Sequence, residues 1–293
     1  VADYKPLASP FTPYSAAELR DLLVREFGRN YEAAGSNHYL VVARRGQSKR
    51  YLALFEELYR QLHVYLSARG FAVREPQFPL VAVVLPDRTA FVDYCLREKV
   101  TPAAGLMGYY LQTSNRVALY DSGSSATLDE TIVHEAVHQA AFNVGLHRRL
   151  GENPLWVVEG LATTFEPENF RKSLPSTPVA AKINRDRYLR FRNYTDQRRP
   201  ARSLAKLVES DAVFQSATLD AYAEAWALTF FLLQTRQEQM AGYLKRIAAR
   251  PATEPYGPDA RRDDFEKAFG ANWTQLETEL IRFHRGLVQP NGR

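Results

Sequence analysis

"TIVHEAVHQAAFNVG", Thr131 to Gly145, sets two of the chain's six histidines four residues apart, with a glutamate directly after the first. Thr127 and Glu130 carry the S/T-x-x-E spacing of a capping box, which predicts a helix starting at about Leu128, with Gly145 marking its end. On that helix His134 and His138 share one face. Residues four apart have Cβ atoms about 5–6 Å apart, so both imidazoles can reach one zinc ion at about 2 Å without distorting the backbone. Glu135 projects beside them, where a carboxylate can take a proton from water. Ile132, Val133, Val137 and Ala141 line the rest of the helix, and polar side chains buried among them are costly unless a partner satisfies them.

Two imidazoles do not complete a catalytic zinc site, so a third donor must come from elsewhere in the chain. "NPLWVVEGLATTFE", Asn153 to Glu166, supplies it. Asn153 can cap and Pro154 suits a first helical turn, which places Glu159 on a second helix after a short connection. Gly160 and Ala162 are small and are expected to let this helix approach the first closely. Glu166, two turns beyond Glu159, either orients a ligand, contacts substrate or lies on the surface. A His₂Glu set leaves a fourth position open, as metal-assisted hydrolysis requires.

Around these two helices the chain reads as an α+β lobe followed by a mainly helical one. "SAAELRDLLVREFG" (Ser15 to Gly28), "SKRYLALFEELYRQLHVYLSARG" (Ser48 to Gly70) and "DRTAFVDYCLRE" (from Asp87) carry helical apolar spacing. "HYLVVA" (His38 to Ala43) and "LVAVVL" (Leu80 to Leu85) read as strands, and "GYYLQTSNRVALYD" (Gly108 to Asp121) as two short strands joined at "TSN". A mixed sheet with helices follows from this order. Three segments are expected: an N-terminal helical extension over 1–35, an α+β lobe over 36–150 that ends in the two-histidine helix, and a helical lobe over 151–293 that carries the third ligand.

Composition narrows the function classes. With 293 residues, 45% of them apolar, the chain can bury a large core. Its longest apolar runs, "LVAVVL" and "AWALTFFLL" (Ala225 to Leu233), fall far short of the roughly 20 residues of a membrane span, so no transmembrane segment is expected. The opening "VADYKPLASPF" shows no leader. One cysteine, Cys95, excludes an intramolecular disulfide framework and a Cys-rich metal cluster, and its setting reads as an inert buried thiol. His63 reads as a partly buried structural histidine; His147 and His284, beside arginines, read as surface positions.

The motifs resemble the gluzincin zinc metallopeptidases, the thermolysin-like and aminopeptidase-like clan whose third ligand is a glutamate on the next helix. The chain is similar to bacterial peptidase-MA-like domains, which share a "G-Y-Y" segment, a "P-x-W-x-x-E-G-x-A" ligand helix and a later "Y-A-x-x-W-A-L" helix. Here these are Gly108 to Tyr110, Pro154 to Ala162 and Tyr222 to Leu228, and the likeness runs from about Tyr39 to Phe283. It implies a zincin-like fold, with His134, His138 and Glu159 as ligands of one catalytic Zn2+ ion. It also implies that Glu135 is the general base that activates water and then protonates the leaving amine. Tyr222 becomes the donor to the developing oxyanion, although an aromatic-rich helix equally suits a core tyrosine.

Two positions depart from the clan. Thr163 stands where thermolysin-like enzymes place an aspartate that orients a histidine, so another group must help to orient the ligands. "TSNRVALYD" contains nothing like the G-x-M-E-N segment of the aminopeptidases. An endopeptidase acting on a peptide or protein substrate is therefore expected. "RVALYD" (Arg116 to Asp121) holds the place of the clan's edge strand, which pairs with extended peptide. The clan's habits favour an extracytoplasmic location.

Two other readings fit the same residues. One is a catalytically silent, zinc-stabilised peptide-binding module. The other rests on charge: Arg171 to Arg202 holds ten Lys/Arg against two Asp, a local +8 within a net charge of +5. This segment is either a solvated loop or an adaptor for an anionic partner, with Arg185, Arg187, Arg190 and Arg192 carrying the attraction. It contains no sequence-specific nucleic-acid motif, and Tyr188, Phe191 and Tyr194 fit a short amphipathic helix.

Overall fold

A computed structural model describes residues 13–123, 125–174 and 176–287, with the side chains of 125–129 also outside the description. The first half is built on a five-stranded sheet in the order β1-β2-β3-β5-β4. Its strands are β1 (Tyr31–Gly35), β2 (Tyr39–Arg44), β3 (Leu80–Leu85), β4 (Gly108–Leu111) and β5 (Arg116–Tyr120). The inner pairs β2/β3 and β3/β5 are parallel and the outer pairs β1/β2 and β4/β5 antiparallel, giving a mixed sheet. The expected α+β layout, a sheet region followed by a mostly helical part, is what the chain forms.

Alternation along the strands sorts the core into two layers. Val41, Ala43, Ala82, Val84, Val117 and Leu119 face one side, where helices α2 (Ser48–Ser67) and α4 (Ser125–Asn143) cover them. Leu40, Val42, Val81, Val83 and Ala118 face the other, against α1 (Ala16–Phe27) and α3 (Arg88–Arg97). Cys95 is buried in this second layer, and burial pushes its thiol pKa up, as suits an inert core thiol. The segment expected as a helical extension over 1–35 holds α1 and then the edge strand β1.

The helical part comprises α5 (Leu155–Phe165), α6 (Glu168–Arg171), α7 (Arg185–Gln197), α8 (Ser203–Glu209), α9 (Ala212–Ser216), α10 (Thr218–Thr235), α11 (Gln237–Ala248), α12 (Pro258–Phe269) and α13 (Trp273–Gly286). Its apolar interior is continuous with the α2/α4 side of the sheet. Among the described residues no helix is long and apolar enough to cross a membrane.

Several local expectations are corrected. "RVALYD" is not the edge: β5 pairs with β3 on one side and β4 on the other, so β4 is the edge strand beside α4. The first strand of a hairpin ends up outside because β3 recruits the second in parallel. His147 and His284 are buried, at 2% and 0% exposure, because their neighbouring arginines turn elsewhere while the imidazoles pack on aromatic rings. Burial pushes the His284 pKa down to about 4, against the pull of its contact with the Ala227 carbonyl. His63, on α2, is half-buried, 3.7 Å from Glu75.

Helix α4 starts at Ser125, earlier than the expected Leu128, and the Thr127 side chain of the proposed capping box lies outside the described residues. It ends as expected: Gly145 takes a left-handed φ of 91°, and Leu146 N–H donates to Ala141 O at 3.1 Å. Helix α5 starts after Pro154 without help from Asn153, whose side chain instead bonds both backbone groups of Arg148. The Leu155 N–H is taken up by Asp211 Oδ1 at 3.0 Å, a cap from a distant turn.

Gly160 does permit a close helix approach, but to α10. A Cβ there would lie 2.1 Å from Thr229 Oγ1 and 2.6 Å from the Ala225 carbonyl oxygen. Because one of these obstacles is backbone, Gly160→Ala must push α5 and α10 apart. We expect it to lower stability by about 1–3 kcal/mol, read as a fall in the unfolding midpoint; an unchanged midpoint would mean the crossing is looser than described.

Candidate metal centre

Three elements carry the site. Helix α4 lies against β4 and β5, with Ile132, Val133, Val137 and Ala141 buried as its pattern requires. Its position is keyed by Gln139, fully buried, whose Nε2 donates to the Val81 carbonyl at 3.0 Å and the Asn115 carbonyl at 2.8 Å. Asn143 bonds Asn115 side chain to side chain, and the Tyr110 hydroxyl donates to Asn115 Oδ1 at 2.9 Å. Asn115 sits at φ 57°, a left-handed turn conformation that asparagine tolerates. This buried amide network ties the β4–β5 turn to the end of α4. Gly108 lets the start of β4 approach the middle of α4, since a Cβ there would be 2.8 Å from Thr131 Cγ2.

On that framework His134, His138 and Glu159 converge. His134 Nε2 and His138 Nε2 are 3.0 Å apart, and Glu159 Oε2 is 3.3 Å from the first and 3.4 Å from the second. These three are a group that could hold a metal ion. The donors of a tetrahedral zinc site, bonded at 2.0–2.2 Å, would lie ~3.3–3.5 Å from one another. The contacts around Glu159 Oε2 lack hydrogen-bond alignment: that oxygen is buried with no hydrogen-bond partner among the described residues. An orphaned carboxylate oxygen facing two imidazole nitrogens is expensive by itself and fits a cation that all three would share.

The surrounding groups set the charge states. Burial alone would raise the Glu159 pKa, but the His138 and His134 imidazoles hold the carboxyl well below its usual range. His134 is held above its ordinary range: burial opposes this, and Glu159 and Glu166 outweigh it. Glu166 Oε1 lies 2.8 Å from His134 Nδ1, and Glu166 Oε2 accepts from Asn184 Nδ2 at 2.6 Å. Of the roles read for Glu166, this contact fits orientation of His134, and its place in the lining of the neighbouring cleft leaves contact with a substrate open to it as well. Thr163 does not take that part, since its hydroxyl donates to the Glu159 backbone carbonyl at 2.7 Å.

Glu135 is 9% exposed, and burial raises its carboxyl pKa, against the opposing pull of His134, His138 and the Tyr110 backbone N–H. Tyr222, on α10, joins the group. Burial and then the Glu159 carboxylate, with which its hydroxyl interacts, push its pKa up. Its ring packs edge-on to Phe214, with the Arg187 guanidinium 5.3 Å over its face.

His134 and Glu135 open onto a cleft of about 680 Å³ bounded by residues 105–108, the 130–135 face of α4, Glu166 and the 183–187 segment. Asn184, which lines this cleft, escaped the sequence reading, and Arg187, read there only as part of the basic segment, lines it too. "INRDR" carries an Asn N-cap signal, and Asn184 does cap α7 through Arg187 N–H, but its second role on Glu166 is purely tertiary.

The basic segment is neutralised in part within the fold. Tyr188, Phe191 and Tyr194 are buried on α7, as amphipathic spacing predicts. Arg190 and Arg198 pair with Asp220, Arg199 with Glu224 and Glu277, and Arg192 donates to the Tyr188 hydroxyl.

The fold and site thus define an α+β protein with a possible metal-holding His/His/Glu cluster on two adjacent helices. Residues 129–254 match a family model described as a protein of unknown function (DUF1570), a stretch that includes His134, His138, Glu159 and Tyr222. No curated protein matches the chain.

Proposed function

We propose that this protein is a zinc-dependent endopeptidase of gluzincin type. The observation that carries the reading is the convergence of His134 Nε2, His138 Nε2 and an otherwise unpartnered Glu159 Oε2, with Glu135 beside them at the mouth of an open cleft. Two imidazoles and a carboxylate suit Zn2+, which when bound supplies Lewis acidity toward water and a carbonyl oxygen.

The chain's own residues supply the rest. Glu135, buried and raised in basicity, accepts a proton at its carboxylate from the attacking water and returns it to the leaving amine nitrogen. The Tyr222 hydroxyl donates to the oxyanion, and burial keeps it protonated for that purpose. Glu166 takes the His134 Nδ1–H, leaving the Nε2 lone pair turned toward Glu159. The outer edge of β4 offers backbone groups to an extended peptide, a mode that binds polypeptide with little sequence preference.

The test is metal analysis of the purified protein joined to digestion of a peptide library with and without chelator. One equivalent of zinc, with cleavage lost on chelation and regained on adding zinc, is expected. Stoichiometric zinc without any cleavage would favour the silent binding module, and no metal would remove both.

A further inference from the structure

The basic segment has a second end that α7 does not neutralise. Between α2, the end of α6, the 3₁₀ turn Val179–Lys182 and the C-terminal part of α10 lies a cavity of about 600 Å³. Five cations line it: Arg60, Arg69, Arg171, Lys172 and Lys182. Three are accounted for. Arg60 forks onto Glu57 at 2.8 and 2.6 Å, Lys172 pairs with Glu168, and Arg171 donates to the Phe165 and Glu166 backbone carbonyls.

Arg69 and Lys182 are different. The Arg69 guanidinium lies 3.7 Å over the Tyr65 ring and donates to the Tyr65 carbonyl, with no carboxylate in ion-pair range among the described residues. Lys182 is 6% exposed and has neither a hydrogen bond nor an ion pair among the described residues. Burial and then the adjacent Arg69 guanidinium push the Lys182 ammonium pKa down. Ser173 Oγ, buried and without a hydrogen-bond partner among the described residues, lines the same cavity. Two neighbouring positive charges, one of them on a side chain only 6% exposed, lose hydration that an anion in the cavity would restore.

We propose that this cavity binds a phosphoryl group carried on a small apolar body, with Lys182 and Arg69 as its counter-charges and Ser173 as a hydrogen-bond donor. A phosphoryl group carries about two negative charges and three acceptor oxygens, which matches two unneutralised cations and a free hydroxyl. The cavity exceeds the needs of the anion alone, and the exposed Val64 and Leu174 side chains in its lining offer apolar surface to the rest of the molecule. The site is independent of the peptidase reading.

Calorimetric titration with phenyl phosphate tests this, with inorganic phosphate and chloride at matched ionic strength alongside. Saturable binding is expected for phenyl phosphate, weaker binding for inorganic phosphate and none for chloride. Lys182→Met should weaken phenyl phosphate binding roughly tenfold or more, the loss of one charge-assisted contact, while leaving metal content unchanged. Arg69→Gln provides the same reading from the rim if the first variant folds poorly. Binding that survives both substitutions, or an equal response to chloride, overturns the proposal.

Discussion

Replacing Glu135 with glutamine is expected to leave the metal in place and to slow peptide cleavage by roughly 10²–10⁴-fold, the share that a positioned proton acceptor contributes. The carboxamide has nearly the same shape and cannot accept the proton. The metal should stay because Glu135 is not among the converging donors, whose three contacts of 3.0–3.4 Å involve His134, His138 and Glu159 alone. Removing a buried carboxyl whose ionised form is disfavoured should also cost the fold little. Metal content, unfolding midpoint and turnover are measured on the same preparation. Activity of the parent protein should fall toward acid pH as the raised Glu135 carboxyl takes up its proton, and the variant's residual rate should lose that limb. Undiminished turnover in the variant would exclude Glu135 as the base.

What could be read from residues alone divides by the range of the interaction. His134 and His138 were legible because helical spacing dictates that side chains four apart share a face. Glu159 was legible because Pro154 marks a second helix close behind, although Gly160 beside it packs on α10 rather than on α4. The position of β4 was not. Whether the first or second strand of "GYYLQTSNRVALYD" faces outward depends on β3, more than 20 residues upstream, accepting β5 in parallel. The same holds for Asp211, which caps α5 from 56 residues away. His147, in the loop after α4, and His284, on α13, misled because charged sequence neighbours say nothing about which way an imidazole points. Part of the basic segment's +8 is met by Asp220, Glu224 and Glu277, acids on helices that only the fold brings near.

Glu166 lets the proposed outer partner of His134 be tested apart from the proposed metal ligands. Removing its side chain by Glu166→Ala frees His134 Nδ1 from its 2.8 Å contact and lets the ring turn and change tautomer. We expect metal affinity to drop by about 10–100-fold, the usual effect of losing such a partner, measured by competition with a chelator of known strength. Glu166→Gln should fall between the two. Its amide oxygen can still accept from His134, but its Nε2 then meets Asn184 Nδ2, donor against donor, where the carboxylate accepted at 2.6 Å. Asn184→Ala should relieve that conflict and bring the glutamine variant's affinity closer to the parent's. A merely structural Glu166 would lower the unfolding midpoint of the metal-free protein and leave the affinity of the folded fraction intact, a result that would assign orientation of His134 to some other group.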